Sequence, residues 1–303
     1  MSAVTAPPRP DAGRARRQPR RPGGPPTARA RRTPATLPSY VALVLLLVFS
    51  LAPLLVFVGN AFKTQAEIGE HPLGWPSSLR FANFAEAWST GNLGTGLRNS
   101  TIIVLATVAG VCVIAGCAAY AMARLRLPGG NGVLLYLLVA SALPFQAFLV
   151  PLFFLWSELL LYDSLFGLIL IYWAIFSPFA TLLLRSYLVT LPRELEDAAR
   201  LDGAGELQVL RRVVLPLAWP GFLTVALVTG LATWNEFLFA ITFLQNPDLL
   251  PIVTGFLQFQ QSYTQNYALI SAAGVIMLLP MLVLFLLLQR RFVAGLTAAG
   301  LKG

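Results

Sequence analysis

Six long apolar runs constrain this chain more than any other feature. They lie at about residues 39–60, 97–121, 133–157, 164–184, 217–242 and 267–289. Lipid hydrocarbon offers the backbone no hydrogen-bond partner, so a crossing segment must satisfy its own amides. A helix of about 20 residues does this. The first run, Tyr40 to Val58, is broken only by Ser50 and Pro53. The third carries Pro144, Gln146 and Pro151, the fourth Ser177 and Pro178, and the sixth Pro280. Proline is tolerated inside membrane helices because neighbours re-satisfy the freed carbonyl. The pattern predicts an all-α, polytopic membrane protein with six transmembrane helices. Charged residues make up 12% of the chain, about half the usual share of a soluble domain. That shortfall excludes a cytosolic globular enzyme, a disordered chain and a disulfide scaffold.

The placement of charge gives an orientation. Residues 1–32 hold nine Arg and one Asp, and the other 271 residues hold 13 basic and 12 acidic groups. The net +9 is therefore mostly a property of one tail, and it does not imply a nucleic-acid partner. Residues 1–38 are rich in Arg, Pro, Gly and Ala and have no apolar periodicity, so they are expected to form a disordered basic tail. The run after them is read as an uncleaved first helix. The tail is long for a signal peptide, and Gly59 to Thr64 offers no convincing small-x-small cleavage site. Six spans place both termini on one side. That side carries 19 Lys and Arg, and the opposite side has only Lys63, Arg80 and Arg98. The positive-inside rule then makes the termini cytoplasmic. Removing the tail leaves ten against three, so the orientation does not depend on it. The outward loops are about 61–96, 158–163 and 243–266. The first, with Trp75, Phe81, Phe84 and Trp88, is expected to be partly helical.

Residues for catalysis are scarce. His71 is the only histidine and sits beside Pro72 in a hydrophilic loop. Cys112 and Cys117 are five apart, a spacing that does not place them face to face on a helix, so they read as packing residues. No metal cluster, no Ser-His-acid set and no phosphate-binding Gly-rich loop is evident. The chain is expected to be non-catalytic and to bind no cofactor. Helix two carries Ala106, Gly110, Ala115, Ala119 and Ala123, small residues that let a neighbouring backbone approach. In run five, Trp234, Asn235 and Glu236 are the sharpest polar group. A carboxylate there suits either a substrate pathway or a polar contact between helices.

The loop 186–216 holds nine of the 25 charges outside the tail. Pro192 can start a helix. Glu194, Glu196 and Asp197 suit its positive end, and Glu196 precedes Arg200 by four residues, the favourable order. Leu195, Ala198, Ala199 and Leu201 supply a small apolar surface. Gly203 and Gly205 then break or turn the helix, and a second piece runs from Glu206 to Val214. A short helix with small residues outside the bilayer reads either as a docking element or as an interfacial connector.

Here the sequence resembles a known signature, that of the binding-protein-dependent ABC transporter permeases. Their E-A-A-x-x-x-G is matched by Asp197, Ala198, Ala199 and Gly203. After a nine-residue gap their I-x-L-P is matched by Val213, Leu215 and Pro216. Asp197 for Glu and Val213 for Ile are the departures. The longer pattern, with Pro192, Glu194, Leu195, Asp202, Gly203 and Ala204, is similar to the carbohydrate-uptake subgroup of maltose-permease type. The resemblance continues through Pro220, Trp234, Asn235 and Phe237, then Gln289, Arg290 and Gly295 to Lys302-Gly303, and covers residues 38–303.

The resemblance implies a permease fold over 39–303, with a cytoplasmic tail at 290–303. It implies that Glu194, Asp197, Ala198, Ala199, Asp202, Gly203, Ala204, Leu215 and Pro216 form the contact with an ATPase subunit. Gln289, Arg290 and Gly295 would reach the ATPase dimer. It further implies a second homologous permease, two ATPase subunits carrying ATP and Mg, an extracytoplasmic sugar-binding protein, and a bacterial inner-membrane location. Glycerol-3-phosphate, a polyamine or another solute are alternative cargoes. An ion-coupled secondary transporter is a poorer alternative, because it gives the loop no role.

Overall fold

The structure is a computed structural model. It describes residues 37–125, 127–263 and 266–300, with backbone only at 37, 288 and 290–300. The expected tail up to residue 36, the side chain of Arg290 and residues 301–303 of the expected C-terminal tail lie outside the described residues. Among the described residues there is no strand. The chain divides into two units, Met1–Ser50 and Leu51–Gly303. The first contains the start of helix α1 (Leu37–Asn60), and the packing described below lies in the second.

Among the described residues, five helices are long and apolar enough to cross a bilayer. They are α1, α4 (Leu93–Arg124), α7 (Leu165–Thr190), α10 (Leu215–Asn235) and α13 (Tyr267–Gly300). The expected third span, 133–157, differs. It is two helices, α5 (Gly130–Ala142) and α6 (Leu149–Glu158), bent by 88° where they meet. The cause is local. Pro144 has no N–H to donate, and Leu143 before it is extended at φ −72° and ψ 139°, as a residue preceding proline prefers. The expected fifth span, 217–242, also breaks. Helix α10 stops at Asn235, Glu236 is extended, and α11 (Leu238–Phe243) restarts.

Short helices fill the connections. Before α4 come α2 (Gln65–Glu70) and α3 (Ala82–Thr90), and between α11 and α13 comes α12 (Ile252–Ser262). The first connection is held by buried polar groups. Lys63 is buried and donates to the carbonyl of His71 at 2.9 Å, and Asn83 donates to the carbonyls of Ala61 and Lys63, both at 2.8 Å. In the second, Asn99 of α4 donates to the carbonyl of Asp248 at 2.8 Å, and the Ser100 hydroxyl accepts from the N–H of Ile252 at 2.9 Å. Groups buried this way must be paired, and here each is.

Helices α4 and α7 pack together along most of their length. The small-residue stripe of α4 makes this possible. Ala115, Ala119 and Ala123 are buried in one cluster with Leu184, Leu188, Val214 and Ala218. At Gly110 a Cβ would lie 2.1 Å from the Trp173 ring. That indole also donates to the Ala106 carbonyl at 3.0 Å. The Gly110 approach is the close packing that small residues permit between membrane helices.

Candidate functional site

The 186–216 loop is ordered helix. After α7, Leu191 is extended and the chain turns into α8 (Glu194–Leu201). Three acids, Glu194, Glu196 and Asp197, fall in the first turn, and Arg200 falls in the last. This charge order complements the helix dipole. Asp202 closes the helix, donating its N–H to the Ala198 carbonyl at 3.0 Å. Gly203 then takes φ +86°, a left-handed conformation natural to glycine. The next piece is not one α-helix. It is α9 (Glu206–Val209) followed by a π turn over Leu210–Val214, which runs into α10 at Leu215 and Pro216.

The two faces of α8 differ. Leu195, Ala198 and Leu201 face outward and exposed, with Leu201 89% accessible, beside exposed Glu194, Asp197 and Asp202. Ala199 and Ala204 are half-buried against the core cluster. Glu196 points inward and is buried. Its Oε1 lies 2.7 Å from Nε of Arg124, at the end of α4, and the two side chains are 3% and 2% exposed. The angle is too bent for a hydrogen bond at that nitrogen, so the contact is an ion pair. Arg124 also donates through Nη2 to the Leu191 carbonyl at 3.1 Å, and Arg193 donates back to the Ala123 carbonyl at 3.0 Å.

A second polar cluster sits beside the first. Arg200 contacts Asp197 Oδ1 at 3.1 Å, Glu206 Oε1 at 2.9 Å and Glu196 Oε2 at 3.7 Å. The hydroxyl of Tyr120, on α4, donates to Glu206 Oε2 at 2.5 Å. Hydrogen bonding to Glu206 is the main reason the Arg200 guanidinium is held above its usual pKa.

The polar group of run five is brought into contact with α7. Trp234 is buried, and Asn235 folds back to donate to the Leu231 carbonyl at 2.8 Å. The Glu236 carboxylate accepts from the N–H groups of Leu238 at 3.0 Å and Phe239 at 3.1 Å, which open α11. It also accepts from the Tyr172 hydroxyl at 2.6 Å. Of the two roles left open by the sequence, these contacts are those of a helix cap and an interhelical tie. A cavity of about 560 Å³ lies between the bent α5–α6 pair, α7 and α10. Its lining is largely apolar, with Tyr136, Ser141 and Thr229 supplying hydroxyls, and Trp234, Asn235 and Glu236 do not line it. At the end of the chain Gln289 is half-buried and donates to the Leu286 carbonyl at 3.1 Å. Among the described residues no three of His, Cys, Asp and Glu converge as metal ligands would.

Sequence reasoning placed the loop but missed its anchor. Arg124 entered only as a charge in a count, and Glu196 only as an acid at the helix start and a partner for Arg200. One signal was present: an arginine at the last turn of an apolar helix and a loop acid, both on the side rich in basic residues. Nothing in the spacing joined them. Nor did the spacing join Tyr172 to Glu236.

Comparison with known proteins converges on one family. Residues 113–297 match the model described as binding-protein-dependent transport system inner membrane component. The chain is 37% identical over 265 residues to the sulfoquinovosyl glycerol transport system permease protein SmoH of Agrobacterium fabrum, covering 87% of this chain and 93% of that one. It is 34% identical over 266 residues to the diacetylchitobiose uptake system permease protein NgcG of Streptomyces coelicolor, covering 86% and 87%. Among solved structures, a bacterial ABC transporter involved in import of the acidic polysaccharide alginate superposes with a TM-score of 0.74 at 21% identity, over 84% of this chain and 94% of that one. With a helical fold of apolar spans, an exposed loop helix that carries the signature residues, and these matches, the chain belongs to the binding-protein-dependent transport system inner membrane component family.

Proposed function

We propose that the chain is a permease subunit of an ATP-driven importer of sugars or oligosaccharides in a bacterial cytoplasmic membrane. It forms half of the pathway and a second, homologous permease forms the other half. Two copies of an ATPase subunit bind ATP and Mg, and an extracytoplasmic binding protein delivers the solute. The chain itself binds no cofactor and makes no covalent bond. Its termini and the 186–216 loop face the cytoplasm. Relatives named for sulfoquinovosyl glycerol and diacetylchitobiose support a saccharide-bearing cargo.

The observation that carries this reading is α8, an ordered helix that exposes Leu195, Ala198 and Leu201 while its other face is anchored. Small residues let a partner surface approach, and the flanking Glu194, Asp197 and Asp202 set its register. A helix braced on one face transmits displacement, where a slack loop would absorb it. Residues 204, 215 and 216 complete the corner that joins the helix to α10. Gln289, Arg290 and Gly295 are proposed to reach the ATPase pair from the end of α13.

The test is Ala198→Trp in the complete complex. The bulky ring is expected to abolish co-purification of the ATPase subunit and uptake of a radiolabelled disaccharide. Membrane insertion should persist, because Ala198 is exposed. Co-purification at the wild-type level would refute the docking role.

A further inference from the structure

We propose that the buried Arg124–Glu196 pair is a strut through which the coupling loop drives α4, making both residues positioning residues for transport. The proposal rests on reading 186–216 as the ATPase-coupling loop. Covalently, α8 is joined only to α7 and, through α9 and the π turn, to α10. Helix α4 is far away in sequence, yet it is fastened to the same corner in both directions. Arg124 reaches from α4 to Glu196 and to the Leu191 carbonyl, and Arg193 reaches back to the Ala123 carbonyl.

Burial makes this fastening stiff. Side chains only 2% and 3% exposed are poorly screened by salt, and separating them would leave a bare charge away from water. The pair therefore stays closed while the loop moves. Arg200 and Tyr120 add a second tie, through Glu206, from α9 to the same end of α4. Helix α8 thus has a division of labour by helical face. Leu195, Ala198 and Leu201 are free for a partner, and Glu196 is spent on α4. A push on the exposed face then tilts α4 together with α7 and α10, the helices packed along it.

The experiment uses the whole complex in proteoliposomes, with Cys112 and Cys117 replaced by Ala. Spin labels are placed on exposed Leu125, next to the end of α4, and exposed Leu287 of α13. The distance distribution is compared without nucleotide and after trapping with ATP and vanadate. In the otherwise unaltered complex, trapping is expected to shift the distribution. Glu196→Gln should retain ATPase co-purification and trapping but lose more than half of that shift. The exchange Arg124→Glu with Glu196→Arg should restore most of it. A merely structural pair would leave the shift unchanged in Glu196→Gln, and that outcome overturns the proposal. So does an unaltered complex with no shift. If Glu196→Gln fails to assemble, Arg124→Gln, which removes the other charge of the pair, is judged by the same loss. Failure of the underlying reading is distinct, because Ala198→Trp would then leave ATPase co-purification intact.

Discussion

At Gly110 the absence of a side chain is what lets Trp173 lie across α4 and donate to the Ala106 carbonyl. A methyl group there would stand 2.1 Å from the ring, so the indole would have to move and surrender its bond. Gly110→Ala is expected to destabilise the protein by about 1–3 kcal/mol, the usual cost of overpacking. Thermal unfolding in detergent micelles checks it. Gly132→Ala, which meets nothing within 4 Å, should leave the midpoint almost unchanged. The sequence marked Gly110 as part of a small-residue stripe, and the structure bears that out. What it could not supply was the partner, because Trp173 comes from another helix and its rotamer is a matter of packing. The same holds for Arg124. Its position on a helix end was readable, but the acid it meets was not, since pairing across a fold leaves no periodic mark. Removing one member of such a buried pair generally costs about 3–5 kcal/mol.

At the scale of elements, breaks in the spans separate this fold from a simple bundle. The 88° bend between α5 and α6 follows from Pro144 and extended Leu143, and the proline was visible in the sequence. Its consequence was not, because proline kinks some membrane helices and merely bends others, according to what re-satisfies the freed carbonyl. The break after α10 has no proline at its centre. It is held by Glu236, which caps α11 and ties it to Tyr172. A double-mutant cycle with Tyr172→Phe and Glu236→Gln tests this. The two changes are expected to be non-additive, with a coupling of about 0.5–3 kcal/mol, as for directly bonded partners. Unfolding by titration with a denaturing detergent measures it. Full additivity would mean that the tie contributes nothing.

For the whole molecule, the central question is orientation. The basic residues cluster on the side of the loop that carries α8, and we propose from the positive-inside rule that this side is cytoplasmic. Single cysteines, introduced with Cys112 and Cys117 replaced by Ala, test this directly. A cysteine at Leu207, on α9 and 67% exposed, should react with a membrane-impermeant maleimide only after the cells are opened. One at Trp75, 81% exposed, should react in intact cells. The reverse pattern would invert the topology and remove α8 from reach of any cytoplasmic ATPase. The apolar runs, the positions of the loops and the place of the charged 186–216 helix followed from hydropathy, charge and local spacing, which depend only on neighbours along the chain. The sequence by itself therefore determined that this protein is helical, lies in a membrane and offers a charged helical loop with the family's signature. The tertiary structure alone decided which helices are fastened to that loop, where the third and fifth spans break, and that Glu236 is engaged as a cap. Those outcomes rest on side chains meeting from remote segments, and burial makes each such meeting strong without making it legible in the order of residues.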